Sequence, residues 1–138
     1  MLLQSSETGC FSMSGHKGDS QRAMEVLEAI NEARARVDAL GLDEQAFLKD
    51  DTIQMRIAAD SLLMCTLRIT EEAGNLSDQS KEAFPSIDWR GISGMRTFLA
   101  HDYGRIDRKI VWNAIAHEFD DLEKACKQIL EDAGIHRR

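Results

Sequence analysis

Proline is all but missing from this 138-residue chain, with Pro85 alone, so little in the sequence interrupts a helix. Sustained alternation of Val, Ile or Thr with polar residues is also lacking, which removes the period-two signal of half-buried strands. Aromatic residues are few: five Phe, two Trp and one Tyr. The three cysteines, Cys10, Cys65 and Cys126, are odd in number and no pair has metal-ligand spacing. Neither a disulfide framework nor a structural metal site is therefore expected. A reducing, cytoplasmic setting follows, with Cys65 and Cys126 as small core residues of helices. No apolar run reaches membrane-spanning length, and the N-terminus lacks the charged-then-apolar layout of a signal peptide, so no membrane association is expected. An excess of positive charge is lacking too. The formal net charge of −7 argues against a general nucleic-acid coat protein.

What the chain does have is helical periodicity. Hydrophobic residues make up 43% and charged residues 30%, enough for one domain with a single core. Residues 1–19 hold Ser5, Ser6, Gly9, Ser12, Ser14, Gly15 and Gly18 with little periodicity. They read as a disordered extension, with Met13 as an alternative start. A first long helix should begin at Asp19 or Ser20 as N-cap and stop at Gly41. Its apolar stripe is Met24, Leu27, Ile30, Val37 and Leu40, while Glu25, Glu28, Glu32, Arg34 and Arg36 lie largely on a solvated face. Asp43 caps a short helix, with Leu42 stapling onto Phe47.

The second long helix is expected from Asp50 or Asp51 to about Gly74. Ile53, Ile57, Met64 and Leu67 form one seam, and Leu62, Leu63 and Ile69 widen it. A helix apolar over more than one face is buried on two sides, which points to dimerisation through this region. Asp60 reads as an exposed carboxylate. A short helical turn over residues 77–83 ends at Phe84-Pro85, and Ser86 caps the third long helix. Asp107 caps the last, with Ile106 stapling onto Val111. Val111, Ile115, Leu122, Cys126 and Ile129 carry its core stripe and Trp112 anchors it; residues 135–138 read as a frayed basic tail. The expected fold is all-α: an up-down antiparallel four-helix bundle with short extra helices, over residues 20–134.

Chemistry concentrates at the end of the third helix. Ile92, Met95 and Leu99 recur at three and four residues and should face the core. Arg96, Ala100 and Tyr103 follow on a neighbouring stripe. Thr97 precedes His101 by one turn, so its hydroxyl can help hold the imidazole. Gly104 suits the C′ position, which puts His101 and Tyr103 in the last turn. Gly91, Ser93 and Gly94 leave a thin face for close approach by another helix.

Residues 88–112 hold Arg90, Arg96, Arg105, Arg108 and Lys109 against Asp88, Asp102 and Asp107, a net of +2 that leaves −9 for the rest. A small basic region on an acidic body suits a local phosphate site. Histidine titrates near neutrality and can move protons; arginine stays charged and presents a planar fork to phosphate oxygens. Residues five apart on an ideal helix point about 140° apart. Arg96 and His101 therefore converge only if the last turn loosens or the target lies between two subunits. By spacing alone, His101 reads as a helix-terminal histidine favoured by the dipole, Arg96 as a surface arginine and Tyr103 as a rim aromatic. His16, His117 and His136 read as structural or incidental.

Arg96, four intervening residues, His101, one more residue and Tyr103 spell Arg-x4-His-x-Tyr. This resembles the motif of the HEPN superfamily, and specifically of its HepT-like toxins. Ile87-Asp88-Trp89-Arg90, Gly94-Met95-Arg96, Ile106-Asp107 and Val111-Trp112 resemble the same family, and Ile69-Thr70-Glu71-Glu72-Ala73 is similar to its Ile-Gly-Glu-Ala segment. The likeness covers roughly residues 20–132. It implies a homodimeric, metal-independent ribonuclease toxin acting on cellular RNA, tRNA among the candidates, with no cofactor. It further implies Arg96 and His101 as catalytic residues, with Thr97, Glu71 and Asp102 supporting them or lining the cleft. The implied partner is a minimal nucleotidyltransferase antitoxin that transfers AMP to Tyr103 and so blocks the cleft. One departure stands out: the residue after the motif arginine is often Asn or Asp in the superfamily, and here it is Thr97, a weaker polar partner. That departure and the acidic balance support a rival of another class, a non-catalytic helical nucleotide- or partner-binding module associated with a nucleotidyltransferase.

Overall fold

The computed structural model describes residues 17–101 and 107–135. The part of the expected extension before residue 17, Asp102, Tyr103, the expected Gly104 helix stop, the expected Ile106 staple and the basic end of the tail lie outside the described residues.

Every regular element among the described residues is helical: α1 (Asp19–Ala39), α2 (Glu44–Lys49), α3 (Ile53–Gly74), α4 (Asp78–Ala83), α5 (Trp89–His101), α6 (Arg108–Asn113), a π-helical turn (Ala114–Glu118) and α7 (Phe119–Asp132). The last three run on as one long unit. α1 packs against α3 and α7, and α3 packs against α5, which makes the expected four-helix bundle with two short extra helices. Its core is filled by Val26, Leu27 and Ile30 of α1, Leu62 and Ile69 of α3, Leu99 of α5, and Phe119, Leu122 and Leu130 of α7. Each such side chain stabilises the fold by about 1.5–3 kcal/mol when fully withdrawn from water. Alanines 23, 33, 58, 59 and 73 are buried between them, and their small size lets α1 and α3 approach closely.

Side chains rather than propensity set several helix ends. Asp43 accepts the Ala46 N–H at 2.8 Å and caps α2 as expected, and Asp107 accepts the Lys109 N–H at 2.9 Å and caps α6. Two expected caps and one expected helix start are displaced. α1 is preceded by Gly18, which makes no side-chain cap, because Asp19 has turned away to α4. Its carboxylate accepts the Ser77 N–H at 2.9 Å and both the Ser77 and Ser80 hydroxyls at 2.5 Å. α3 begins two or three residues later than expected, at Ile53: Thr52 caps it by accepting the Met55 N–H, while the Asp50 carboxylate accepts the Thr52 N–H. α5 is capped by Asp88, which accepts the Gly91 N–H at 2.9 Å, rather than by Ser86.

Gly41 ends α1 with φ +60°; its N–H reaches the Asp38 carbonyl and the Leu42 N–H reaches that of Val37, a Schellman closure. Gly134 closes α7 the same way, with the Ile135 N–H on the Leu130 carbonyl. Ile135 is half-buried against the core.

One apolar expectation is corrected, and the second apolar face expected of α3 is open. Leu40 falls after the last turn of α1 and is 56% exposed. On α3, Leu62, Leu63 and Ile69 are buried, but Ile53, Ile57 and Met64 are 55%, 63% and 61% exposed. Among the described residues α3 is thus covered on one side only. Of the thin positions of α5, Gly91 and Gly94 are exposed, while Ser93 stands toward α3, where a Cβ on Gly74 would lie 3.7 Å from its hydroxyl. A Cβ at Gly91 would strike the Asp88 carboxylate that caps the helix, which is what the missing side chain avoids.

The expected solvated face of α1 also does more than meet water. Arg34 donates to Asp120 at 2.7 Å, to Glu123 at 3.0 Å and to the Ile115 carbonyl at 3.3 Å, fastening α1 to the π-helical turn and α7. That turn takes up about one residue more than an α-helical turn. Five ideal turns from Val111 would reach Ile129, yet Leu130 is the fully buried residue and Ile129 only partly so.

Candidate functional site

The C-terminal half of α3 and the second half of α5 run side by side, and a polar cleft of about 240 Å³ opens between them. Thr70, Glu71, Gly74 and Asn75 form one wall, and Ser93, Arg96 and Thr97 the other. Arg96 is placed there by the neighbouring stripe of its own helix, where Leu99 is buried and Ile92 and Met95 pack on the core. The start of α5 is fixed as well. The Trp89 indole N–H is shared between the Lys81 and Phe84 carbonyls at 3.0 and 3.1 Å, so α4 and its exit turn hold the helix in azimuth.

At the cleft the Arg96 Nε–H donates to the Glu71 carboxylate, and the two side chains are 43% and 41% exposed. Asn75, one turn beyond Glu71, donates its amide to the Glu71 carbonyl at 2.9 Å. The Thr97 hydroxyl donates to the Ser93 carbonyl one turn back. Its single proton is thereby committed to its own helix, not to His101 as the spacing suggested. His101 is the last residue of α5 and is exposed. It is not among the residues lining the cleft that holds Arg96. The two therefore sit on different sides of the helix tip, as their separation of five residues implies.

Glu71, Arg96 and Thr97 are thus brought together, His101 stands apart, and Asp102 and Tyr103 lie outside the described residues. Sequence reasoning missed Asn75 and Ser93, although Asn75 follows Glu71 by four residues and Ser93 precedes Thr97 by four, the spacing of one helical face.

The basic region divides by role. Arg108 donates to the Phe47 and Asp50 carbonyls at 3.0 and 2.6 Å, so it caps the C-terminal end of α2 and is not offered to a ligand. Two other hollows, about 290 Å³ beside Arg34 and Trp112 and about 400 Å³ beside Asp107 and Arg108, contain none of the motif residues. Among the described residues no cluster of His, Cys, Asp and Glu could hold a metal ion. No helix among them is long and apolar enough to cross a membrane. Both described cysteines are free and buried, and burial pushes the Cys126 thiol up to about 12 and Cys65 in the same direction. Neither is set up as a nucleophile.

The family model described as ribonuclease HepT-like matches residues 25–129, which takes in Glu71, Arg96 and His101. This chain belongs to the ribonuclease HepT-like family. Curated relatives agree. "Putative RNase TTE0752" of Caldanaerobacter subterraneus subsp. tengcongensis is 33% identical over 91 residues, 66% of this chain and 77% of that protein. "Putative RNase MJ0125" of Methanocaldococcus jannaschii is 24% identical over 66% of this chain and 74% of its own length. "Putative RNase MJ0127" of the same organism is 24% identical over 78% and 84%. No solved structure matches this HepT-like chain.

Proposed function

We propose that this HepT-like protein is a metal-independent endoribonuclease, acting as a homodimer on cellular RNA in the cytoplasm, and that it is the toxin of a toxin–antitoxin pair. The observation that carries the reading is the tip of α5, where a guanidinium is presented in a polar cleft and an exposed imidazole follows five residues later. The names of the relatives support the same activity.

The chemistry needs two proton transfers and one charge to be held. An imidazole takes the proton of a 2′-hydroxyl, whose oxygen attacks the adjacent phosphorus. The 5′-oxygen departs and takes a proton from a second imidazole, leaving a 2′,3′-cyclic phosphate and a 5′-hydroxyl end. Arg96 holds the charge that builds on the phosphorane oxygens. One chain supplies one such histidine, so a second copy completes the pair. The uncovered stripe of Ile53, Ile57 and Met64 on α3 supports an assembly of two copies through that face. The partner antitoxin is a minimal nucleotidyltransferase that transfers AMP from ATP to the Tyr103 hydroxyl with release of pyrophosphate, blocking RNA entry. Thr97, Glu71 and Asp102 support the site.

One observation favours the rival reading of a non-cleaving binding module: the Arg96 guanidinium is already engaged by a carboxylate of its own chain. Purified protein incubated with end-labelled RNA in excess chelator separates the two. Cleavage should be seen for the wild type and fall by roughly 100-fold or more in His101→Ala and Arg96→Ala. Equal, background-level products from all three proteins would establish the binding module instead. Ile57→Asp, followed by light scattering and the same assay, tests the dimer. Mass spectrometry of the peptide carrying Tyr103 after co-expression with a minimal nucleotidyltransferase tests the modification: added AMP supports it, and unmodified Tyr103 with toxicity suppressed overturns it.

A further inference from the structure

We infer that Glu71 is a positioning residue for Arg96: it takes the Nε–H of the guanidinium and so turns the four terminal N–H groups toward the cleft, as a fork for one RNA phosphate. The inference rests on the nuclease reading above and deepens it by assigning the cleft's acidic wall a task and its ligand a chemistry. Arginine has five N–H donors, one on Nε and four on the terminal nitrogens. Among the described residues the only side-chain bond of Arg96 is from Nε to Glu71. The terminal edge is the part that matches two oxygens of a phosphodiester. Glu71 is itself restrained, because Asn75 ties down its backbone carbonyl at 2.9 Å and brings its amide to 3.5 Å from the other carboxylate oxygen.

The cleft volume of about 240 Å³ suits a phosphate with part of its sugar rather than a length of strand. A carboxylate beside a phosphate also repels it. Glu71 therefore orients Arg96 at some loss of affinity, and the two effects can be pulled apart by substitution. In Glu71→Gln the amide oxygen still accepts from Nε and the negative charge is gone. In Glu71→Ala both are gone.

The experiment compares wild type, Glu71→Gln and Glu71→Ala in three measurements. Single-turnover cleavage should stay within about 3-fold of wild type for Gln and fall by roughly 30-fold or more for Ala, as expected when a reacting group is misplaced. Binding of a 2′-O-methyl RNA, which cannot be cut, should be about 3-fold or more tighter for Gln than for wild type, and tighter for Gln than for Ala, at low salt. The nitrogen-15 Nε–H resonance of Arg96, assigned by its loss in Arg96→Lys, should persist in Gln and broaden into solvent exchange in Ala.

If Gln is as inactive as Ala while its Nε–H signal persists, Glu71 acts through its charge or its proton and the positioning role is overturned. Full activity in Ala overturns it equally. If the wild type cuts nothing, the nuclease reading has failed on its own, and the inference is decided by the binding order and the resonance. Identical binding in Gln and Ala, or an unchanged resonance in Ala, then sinks it.

Discussion

Glu71 and Glu72 are neighbours in sequence and opposites in circumstance. The Glu72 side chain is 9% exposed and faces α1, where Lys17 approaches it at 2.6 Å and Arg22 at 2.9 Å. The Glu71 side chain is 41% exposed and faces α5, where one guanidinium meets it at the edge of a cleft. Consecutive residues on a helix point about 100° apart, so this doublet serves two different walls of α3. On one wall a carboxylate is withdrawn from water and compensated by two cations, an arrangement that holds helices together. On the other a carboxylate and a cation both remain open to solvent, where their attraction is weak and easily exchanged for a ligand. The same chemical pairing is a fastening on one side and a presentation on the other.

That contrast can be broken by mutation. Glu72→Ala should have the largest effect on the fold, about 2 kcal/mol, because it strands the part-buried Arg22 guanidinium and leaves Lys17 with Glu25 alone. Urea denaturation measures it, and a loss no greater than that of Glu71→Ala would erase the distinction. Next comes Trp89→Phe, which keeps the ring and deletes the N–H shared by Lys81 and Phe84. It should destabilise by about 1 kcal/mol. It should also reduce RNA cleavage, because the start of the helix bearing Arg96 loses its anchor.

Acidification should act on the Glu72 wall with a smaller effect. The Lys17 ammonium holds the Glu25 carboxyl below its ordinary value of 4.5. Burial opposes ionisation of Asp19, but the Ser77 and Ser80 hydroxyls and the Ser77 amide outweigh it and hold Asp19 below 3.8. Both folded values are lowered, so their stabilisation is complete above those ordinary values and is lost as pH falls through the folded ones. The melting temperature should drop over that acid window, and Asp19→Asn should shallow the slope. Smallest of all, Glu71→Ala should change stability by less than about 0.5 kcal/mol.

Much of this architecture could be read from periodicity. The buried faces of α1 and α5 announced themselves through Leu27, Ile30 and Leu99 at three- and four-residue spacing, and Asp43, Asp107 and Gly41 marked real ends. What periodicity does not report is what covers a face. Ile53, Ile57 and Met64 form an apolar seam as expected, but none of the described residues covers it. Caps were displaced where a better acceptor stood nearby, as when Asp88 took the role expected of Ser86. Arg34 looked like solvated surface because its partners, Asp120 and Glu123, are more than 80 residues away. At the site, the family likeness marked Arg96 and Glu71 as candidates, whereas their pairing, the part played by Asn75 and the self-directed hydroxyl of Thr97 needed coordinates.

The wide turn at residues 114–118 is, in effect, an insertion that the last helix has absorbed without disturbing the register of α7. A one-residue deletion within it would let that helix wind regularly and still deliver Phe119 through Leu130 to the interior. The same deletion a few positions later would swing every downstream side chain by about a quarter of a revolution and empty the core of its contents.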